Sequence, residues 1–342
     1  MEIFVLYLLG FLTAWSLSAL TLPFLRHLYG KKLCDRPGGL KTHSGSVPIV
    51  GGSGLVIGIL GSLILIRLCT NFPSGTLHNL RGIVYGSLLI FVMGLADDFA
   101  KPRGLPIWLK LCVQATATLA LIHYGVVIQT IPSPWLAGLL TVLWVVGLTN
   151  AFNLLDILDG LCITQVLICT LGLTLITLPG EYIYVNFAAL AVGGAALAFL
   201  PYNYSAKRRI FLGDSGSNLV GFLLAALSLG YGYSSYSSWG CLAPLFILAV
   251  PLLDTAFVST ARILQGKNPL KGSNDHAALR LQAAGWNNRA IVFSFAGVGM
   301  LGNLSAFLLT RANTCGALGL LIIATILTLV LARKLLAMRP KP

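Results

Sequence analysis

Long apolar runs alternate with short polar stretches from one end of this chain to the other. Eleven runs approach the roughly twenty residues that an α-helix needs to cross about 30 Å of hydrocarbon, too long for core strands. They are Ile3 to Leu25, Pro48 to Leu68, Arg81 to Leu95, Trp108 to Tyr124, Trp135 to Thr149, Leu161 to Leu178, Tyr182 to Leu200, Gly216 to Tyr233, Leu242 to Arg262, Ala290 to Leu309 and Ala317 to Leu335. The pattern predicts an all-α integral membrane protein with about eleven transmembrane helices, residues 1–342 forming a single polytopic membrane domain. The first run starts Met1-Glu2 with no basic n-region and no small-residue cleavage site after it, so it reads as a retained helix.

Lys and Arg orient these helices, because short loops rich in positive charge stay on the cytoplasmic side. Of the 23 Lys and Arg, 19 fall in the first, third, seventh and ninth loops and the C-terminal tail. Arg67, Arg81 and Arg311 lie opposite, and Lys110 stands at the start of the fourth helix. The N-terminus is then outside and the C-terminus cytoplasmic.

Acids are scarce, ten in 342 residues with a mean hydropathy of +0.86, so their placement carries information. Asp35, Asp97, Asp98, Asp156, Asp159, Asp214 and Asp275 all gather on the basic side. Neutralising that basic face does not explain the fifth loop, which has two Asp and no Lys or Arg. Carboxylates brought together without local cations repel one another, and a divalent cation such as Mg²⁺ resolves the repulsion, with Mn²⁺ as an alternative. Clustered Asp among Lys, Arg and His at a membrane surface suits phosphate chemistry on a polyanionic substrate. The formal charge of +13 follows from topology and attraction to membrane lipid, and argues no nucleic-acid partner. The seven Cys lack a CxxC spacing and read as small core residues.

The polar clusters have internal logic. Asp97 and Asp98 diverge by about 100° if helical, so they cannot share one job. Asn150, Asn153, Asp156 and Asp159 are spaced by three, which on a helix makes one slowly turning polar stripe lining a cleft. Asp214 precedes the eighth helix, where Gly213 and Gly216 permit close approach, Ser215 or Ser217 is available as N-cap, and free N–H groups favour a pyrophosphate. Asp254, well inside the ninth helix, needs a partner or a wet cavity and is assigned no chemical role.

Seven motifs, in order, cover nearly the whole chain: KTHSGSVPIVGG from Lys41, GLADDFAKPRGLP from Gly94, TNAFNLLDILDGL from Thr149, LPYN from Leu200, FLGDSGS from Phe211, PLLDT from Pro251 and GKNPLKGSNDHAALRL from Gly266. In them the chain resembles the polyprenyl-phosphate N-acetylhexosamine-1-phosphate transferases. The resemblance implies transfer of a sugar 1-phosphate from a UDP-N-acetylhexosamine to a polyprenyl (undecaprenyl) phosphate at the cytoplasmic face of a bacterial inner membrane. That is a first membrane step of cell-envelope glycan synthesis. It implies that Asp97 deprotonates or orients the lipid phosphate, and that Asp98 and Asn150 stand with Asp214 at the metal. It further implies Asp156 and Asn203 in the nucleotide site, Asn153 among the substrate-binding residues, Asp159 against uracil, His276 with Arg280 and Lys271 on phosphate, and Lys41 bordering the nucleotide pocket.

Two departures are visible. His276 is followed by Ala277, Ala278 and Leu279 where relatives carry further His, and Ile157 stands where Gly or Asn is usual. A phospho-MurNAc-pentapeptide translocase-like activity and a transporter or flippase of polar lipid are the competing readings. Oligomeric state, a homodimer included, and direct versus two-step transfer are left open.

Overall fold

The computed structural model describes residues 2–30, 32–35, 46–70, 74–178, 183–230, 233–268 and 275–338. Each of the eleven apolar runs lies largely on helix over its described residues. They map to α1 (Glu2–Tyr29), α2 (Gly51–Cys69), α3 (Ser74–Ala100), α4 (Ile107–His123), α5 (Pro134–Leu155), α6 (Leu161–Thr177), α7 (Ile183–Asn203) and α8 (Gly213–Leu229), then α9 (Ala243–Ile247) with α10 (Ala249–Leu264), and α12 (Asn288–Leu309) and α13 (Thr314–Ala337). A short α11 (Ala277–Ala283), a 3₁₀ helix (Ser238–Leu242) leading into α9, and an antiparallel ribbon of two-residue strands, β1 (Cys34–Asp35) with β2 (Val47–Pro48), complete the described elements. Among the described residues seven helices are long and apolar enough to cross a membrane, or eight if a bent pair counts as one span. The protein is a multi-pass membrane protein. The count of eleven includes α4, α6 and α8, each 17 residues long, at the short end of the range that crosses a bilayer.

The chain divides into two compact units, residues 1–231 and 232–342. In the first, α8 is the central element: every residue from Ser215 to Ser228 is buried, and α2, α3, α5, α6 and α7 pack on it. Between apolar helices in lipid the hydrophobic effect supplies little, so close packing and buried hydrogen bonds carry association. Ser18 Oγ donates to Gly54 O at 3.0 Å and Ser62 Oγ to Gly10 O at 2.6 Å, pinning α1 to α2.

In the second unit the predicted ninth span is broken. The stretch Ser238–Ile247 and helix α10 meet at 70°. Pro251 explains the break, since it has no N–H for the carbonyl of Ile247 and its ring crowds that carbonyl. The cysteine expectation is also corrected: only Cys162 and Cys169 are buried, whereas Cys69, Cys112, Cys241 and Cys315 are exposed on helix surfaces or ends.

Candidate active site

Four elements of the first unit converge on the N-terminus of α8. Helix α3 continues past Leu95 to Ala100, so Asp97 and Asp98 lie in its last turn and diverge as helical geometry requires. Asp97 accepts the N–H of Leu105 at 2.5 Å and the ammonium of Lys110. Asp98 points to α8 instead: Oδ1 accepts the N–H of Asp214 and Oδ2 that of Ser215, both at 3.0 Å. The approach depends on glycine. A Cβ on Gly94 would sit 2.5 Å from Ser215 Cα and 2.6 Å from Asp214 O, and Gly213 turns with φ +74° while a Cβ there would lie 2.7 Å from Asp98 Oδ2.

The expected seryl cap is therefore absent. Ser217 Oγ bonds back to Gly213 O at 2.9 Å, Ser215 Oγ has no partner among the described residues, and Asp98 serves as the cap from another helix. The α8 N-terminus, expected to greet a pyrophosphate, carries a buried carboxylate.

Asp214 is the accessible acid, its side chain 23% exposed. Lys101 Nζ lies 3.4 Å from Oδ1 and also 2.9 Å from Asp98, while Lys110 Nζ lies 3.5 Å from Oδ2. From α5, Asn153 Nδ2 donates to Asp214 Oδ1 at 3.3 Å and to Ser217 Oγ at 2.9 Å. Beneath them is an amide layer. Asn150 Nδ2 donates to Gln114 Oε1 at 2.7 Å, Gln114 Nε2 to Asn218 Oδ1 at 3.3 Å, and Asn218 Nδ2 to Asp214 O at 2.7 Å.

The polar stripe is corrected as well. Helix α5 ends at Leu155, so Asn150 and Asn153 are helical neighbours but Asp156 is the C-cap and Asp159 lies in the following turn. Asp156 is nonetheless within electrostatic reach of the cluster. Burial first, then the negative charges of Asp214, Asp159 and Asp98, push its carboxyl up to about 7 against the opposing effect of Lys101. Burial opposes charge on the Lys101 ammonium, yet Asp214 and Asp98 beside it hold its proton more tightly than usual.

The donor chemistry fits a hard divalent cation. Among the described residues no group of three His, Cys, Asp or Glu already encloses a metal position. Among the described residues the carboxylates of Asp97, Asp98 and Asp214 share the ammoniums of Lys101 and Lys110, and Asp156, raised chiefly by burial, is near enough to feel the negative charges of Asp214 and Asp98 as well. Oxygen donors with excess negative charge are what such an ion takes.

Comparison with known proteins agrees with this chemistry. The sequence profile described as Glycosyl transferase family 4 matches residues 80–232, the stretch that holds all four converging elements. A Bacillus subtilis protein named "Probable undecaprenyl-phosphate N-acetylglucosaminyl 1-phosphate transferase" is 30% identical over 308 residues, covering 87% of this chain and 83% of the relative. The chain belongs to glycosyl transferase family 4. A Mycolicibacterium smegmatis member named "Decaprenyl-phosphate N-acetylglucosaminephosphotransferase" is 28% identical over 84% of this chain and 79% of its own length. A Halalkalibacterium halodurans "Phospho-N-acetylmuramoyl-pentapeptide-transferase" is 28% identical over 86% and 93%. The chain is thus a phospho-N-acetylhexosamine transferase-family enzyme, of the polyprenyl-phosphate N-acetylglucosamine-1-phosphate transferase group.

Other expected site residues of this family 4 chain have different surroundings. Asn203 is buried with its amide spent on backbone, accepting Gly160 N–H at 2.6 Å and donating to Ile210 O at 3.2 Å. It clamps two loops together. Asp159 pairs with Arg209 at 3.2 Å. Lys41 and Lys271 lie outside the described residues.

In the second unit, His276 Nδ1 meets Asp254 Oδ2 at 2.7 Å, and Asp254 Oδ1 accepts Ala277 N–H at 3.1 Å, so Asp254 finds the partner that its depth requires. Arg280 is 3% exposed and donates to Asp275 Oδ1 at 3.0 Å and to the carbonyls of Leu335, Leu336 and Met338 at 3.3, 3.4 and 2.7 Å. Expected on phosphate, Arg280 instead ties off the C-terminus of α13, where a cation also complements the helix dipole.

Sequence reasoning passed over Lys101, Lys110, Gln114 and Asn218. Lys110 did carry a signal, as a cation at the start of the fourth apolar run with Gln114 four residues on and so on the same face.

Proposed function

We propose that the protein transfers an N-acetylhexosamine 1-phosphate, most simply N-acetylglucosamine 1-phosphate, from its UDP-sugar to a polyprenyl phosphate such as undecaprenyl phosphate, releasing UMP. The observation that carries this reading is Asp214, one partly exposed carboxylate touched by two ammoniums and an amide beside the buried Asp97. A phosphate-handling site needs this mixture, with point charges for the anion and oxygen donors for a cation. The names of the relatives support the choice of sugar and lipid.

A lipid phosphate oxygen attacks the sugar-linked phosphorus, the P–O bond to UMP breaks, and the electron pair leaves on the UMP phosphate. Little covalent work falls to the protein, so positioning and charge neutralisation dominate. Lys101 and Lys110 sit where they can exchange a carboxylate for a substrate phosphate oxygen. Asp97, buried against Lys110, would take a proton from, or orient, the lipid phosphate, as the family resemblance implies. Asp214 with Asp156 would hold Mg²⁺ or Mn²⁺, which supplies Lewis-acid neutralisation of the diphosphate. Asp98 and Asn150 act one step behind, through the α8 N-terminus and the Gln114 amide. The reading includes a bacterial plasma membrane, with this face and the C-terminus cytoplasmic, the N-terminus outside, and membrane lipid around a single polytopic domain.

The test is UMP release by the detergent-solubilised protein with undecaprenyl phosphate and a panel of UDP-sugars. Turnover with UDP-N-acetylglucosamine that EDTA stops and Mg²⁺ restores is expected, and Asp214→Asn should lower it by about a thousandfold. Full activity of D214N would refute the site.

A further inference from the structure

Three side-chain amides form a chain beneath Asp214, and its direction is settled at both ends. Backbone carbonyls only accept, so Asn218 turns its Nδ2 to Asp214 O at 2.7 Å and Asn150 turns its Nδ2 to Val146 O at 2.8 Å. Asn218 is left showing its oxygen to Gln114, and Asn150 its second N–H. Gln114 has to donate to the first and accept from the second. Its Nε2 lies 3.3 Å from Asn218 Oδ1 and its Oε1 accepts Asn150 Nδ2 at 2.7 Å, with Nε2 a longer 3.5 Å from Asn150 Oδ1. Reversing any one amide would set two oxygens or two N–H groups against each other.

Gln114 is 1% exposed on the apolar helix α4, where a polar side chain is costly and calls for a use. It is bonded to both α5 and α8, and each of the three helices so joined brings one group to a single carboxylate. Lys110, one turn earlier on the same face of α4, lies 3.5 Å from Asp214 Oδ2. Asn153, on α5 with Asn150, donates to Asp214 Oδ1 at 3.3 Å, and Asp214 itself stands in the first turn of α8. A tie across the three helices fixes how those groups meet.

We propose that Gln114 is a positioning residue for the reacting centre: by donating to Asn218 and accepting from Asn150 it holds Lys110, Asn153 and Asp214 in mutual register. This rests on the reading of Asp214 as the centre of phosphoryl transfer given above. The requirement is for a side chain with a donor at one side and an acceptor at the other, and bulk does not meet it. Leucine fills the space but leaves the Asn150 N–H and the Asn218 oxygen unpaired. A protonated carboxyl satisfies both neighbours, whereas an ionised one keeps the bond to Asn150 and sets a negative oxygen against Asn218 Oδ1. Burial favours the protonated form.

The experiment measures UMP release by the full-length protein in detergent for wild type, Gln114→Leu and Gln114→Glu, each variant relative to wild type at the same pH, with melting curves alongside. Q114L should lose about a hundredfold in kcat at every pH, with the KM for both substrates within about twofold. Q114E should exceed Q114L by at least about tenfold near about pH 6, and the advantage should shrink as pH rises and the carboxyl ionises. A side chain that only fills space predicts no such dependence. Q114L within about twofold of wild type, or Q114E no better than Q114L near about pH 6, overturns the proposal. If Q114L does not fold, Q114E decides by itself: a ratio to wild type that falls with rising pH supports the chain, and a constant one overturns it. Wild type that releases no UMP sinks the transferase reading instead. The amide chain is then read from melting, where the Q114E midpoint should drop relative to wild type as pH rises and a constant difference would overturn it.

Discussion

The carboxylate of Asp98 accepts the backbone N–H of Asp214 at 3.0 Å, so one acid of the site is the helix cap that positions another. Asp98 is buried and spends both oxygens on the α8 N-terminus, while Asp214 keeps an exposed edge. Their substitutions should therefore fail differently. Asp98→Ala removes two charge-assisted bonds from a buried helix end, at a cost of about 2 kcal/mol. Thermal unfolding in detergent should show a midpoint lower by several degrees together with lost turnover. Asp214→Asn should lose turnover at a nearly unchanged midpoint. Equal destabilisation by both variants would remove the distinction between cap and reacting-centre ligand.

Asp156, just past the end of α5, makes stability depend on pH. Its carboxyl titrates near 3.8 when unconstrained and is pushed up to about 7 in the folded protein, chiefly by burial and then by Asp214. Between those values the folded state binds more protons than the unfolded one, so this group's contribution is complete below about pH 4 and lost as pH rises through 7. Midpoints of the EDTA-treated protein should fall over that range, and Asp156→Asn should flatten the fall. An undiminished slope in D156N would assign the effect elsewhere.

Gly94 is where α3 passes the first turn of α8. A methyl group there meets the backbone of Asp214 and Ser215 at 2.5 to 2.7 Å, and backbone cannot step aside as a flexible side chain can. Gly94→Ala should cost about 1–3 kcal/mol. By moving Asp98 off the α8 N-terminus it should also lower turnover more than its effect on the midpoint predicts. Wild-type activity in G94A would show that the contact is looser than drawn.

Arg280 distinguishes a structural tie from a phosphate contact. Its guanidinium serves three carbonyls at the end of α13 and Asp275, and lies 5.3 Å from the Phe257 ring. Both Arg280→Ala and Arg280→Lys should destabilise the protein, by about 3 kcal/mol for the former, because each leaves Asp275 and carbonyls short of donors. A phosphate contact predicts the opposite split, with a raised KM and an intact melting curve.

Much of the fold was legible because crossing a bilayer imposes a demand that each segment meets alone. All eleven apolar runs became largely helix over their described residues, and even the break between α9 and α10 had a local cause in Pro251. The reading of Asn150, Asn153, Asp156 and Asp159 as one stripe failed where spacing was taken for helix: the chain leaves α5 at Leu155, and Gly160 in a left-handed conformation closes the turn before α6. Lys101 was counted only as loop charge, because nothing local distinguishes a cation that faces solvent from one aimed at Asp214 across 113 residues.

Hydropathy is a sum over neighbouring residues, which is why the chain's own order of amino acids was enough to decide that it is a helical membrane protein and where its scarce acids lie. Whether an acid is a cap, a partner of lysine or an exposed ligand depends on pairs of groups a few ångströms apart but 13 to 117 residues distant in the chain. Hydrogen bonds form only at those short distances, and Coulomb attraction is strongest there. Only the packed helices could therefore divide four similar aspartates into Asp97 against Lys110, Asp98 against α8, Asp156 pressed toward its neutral form and Asp214 left facing outward.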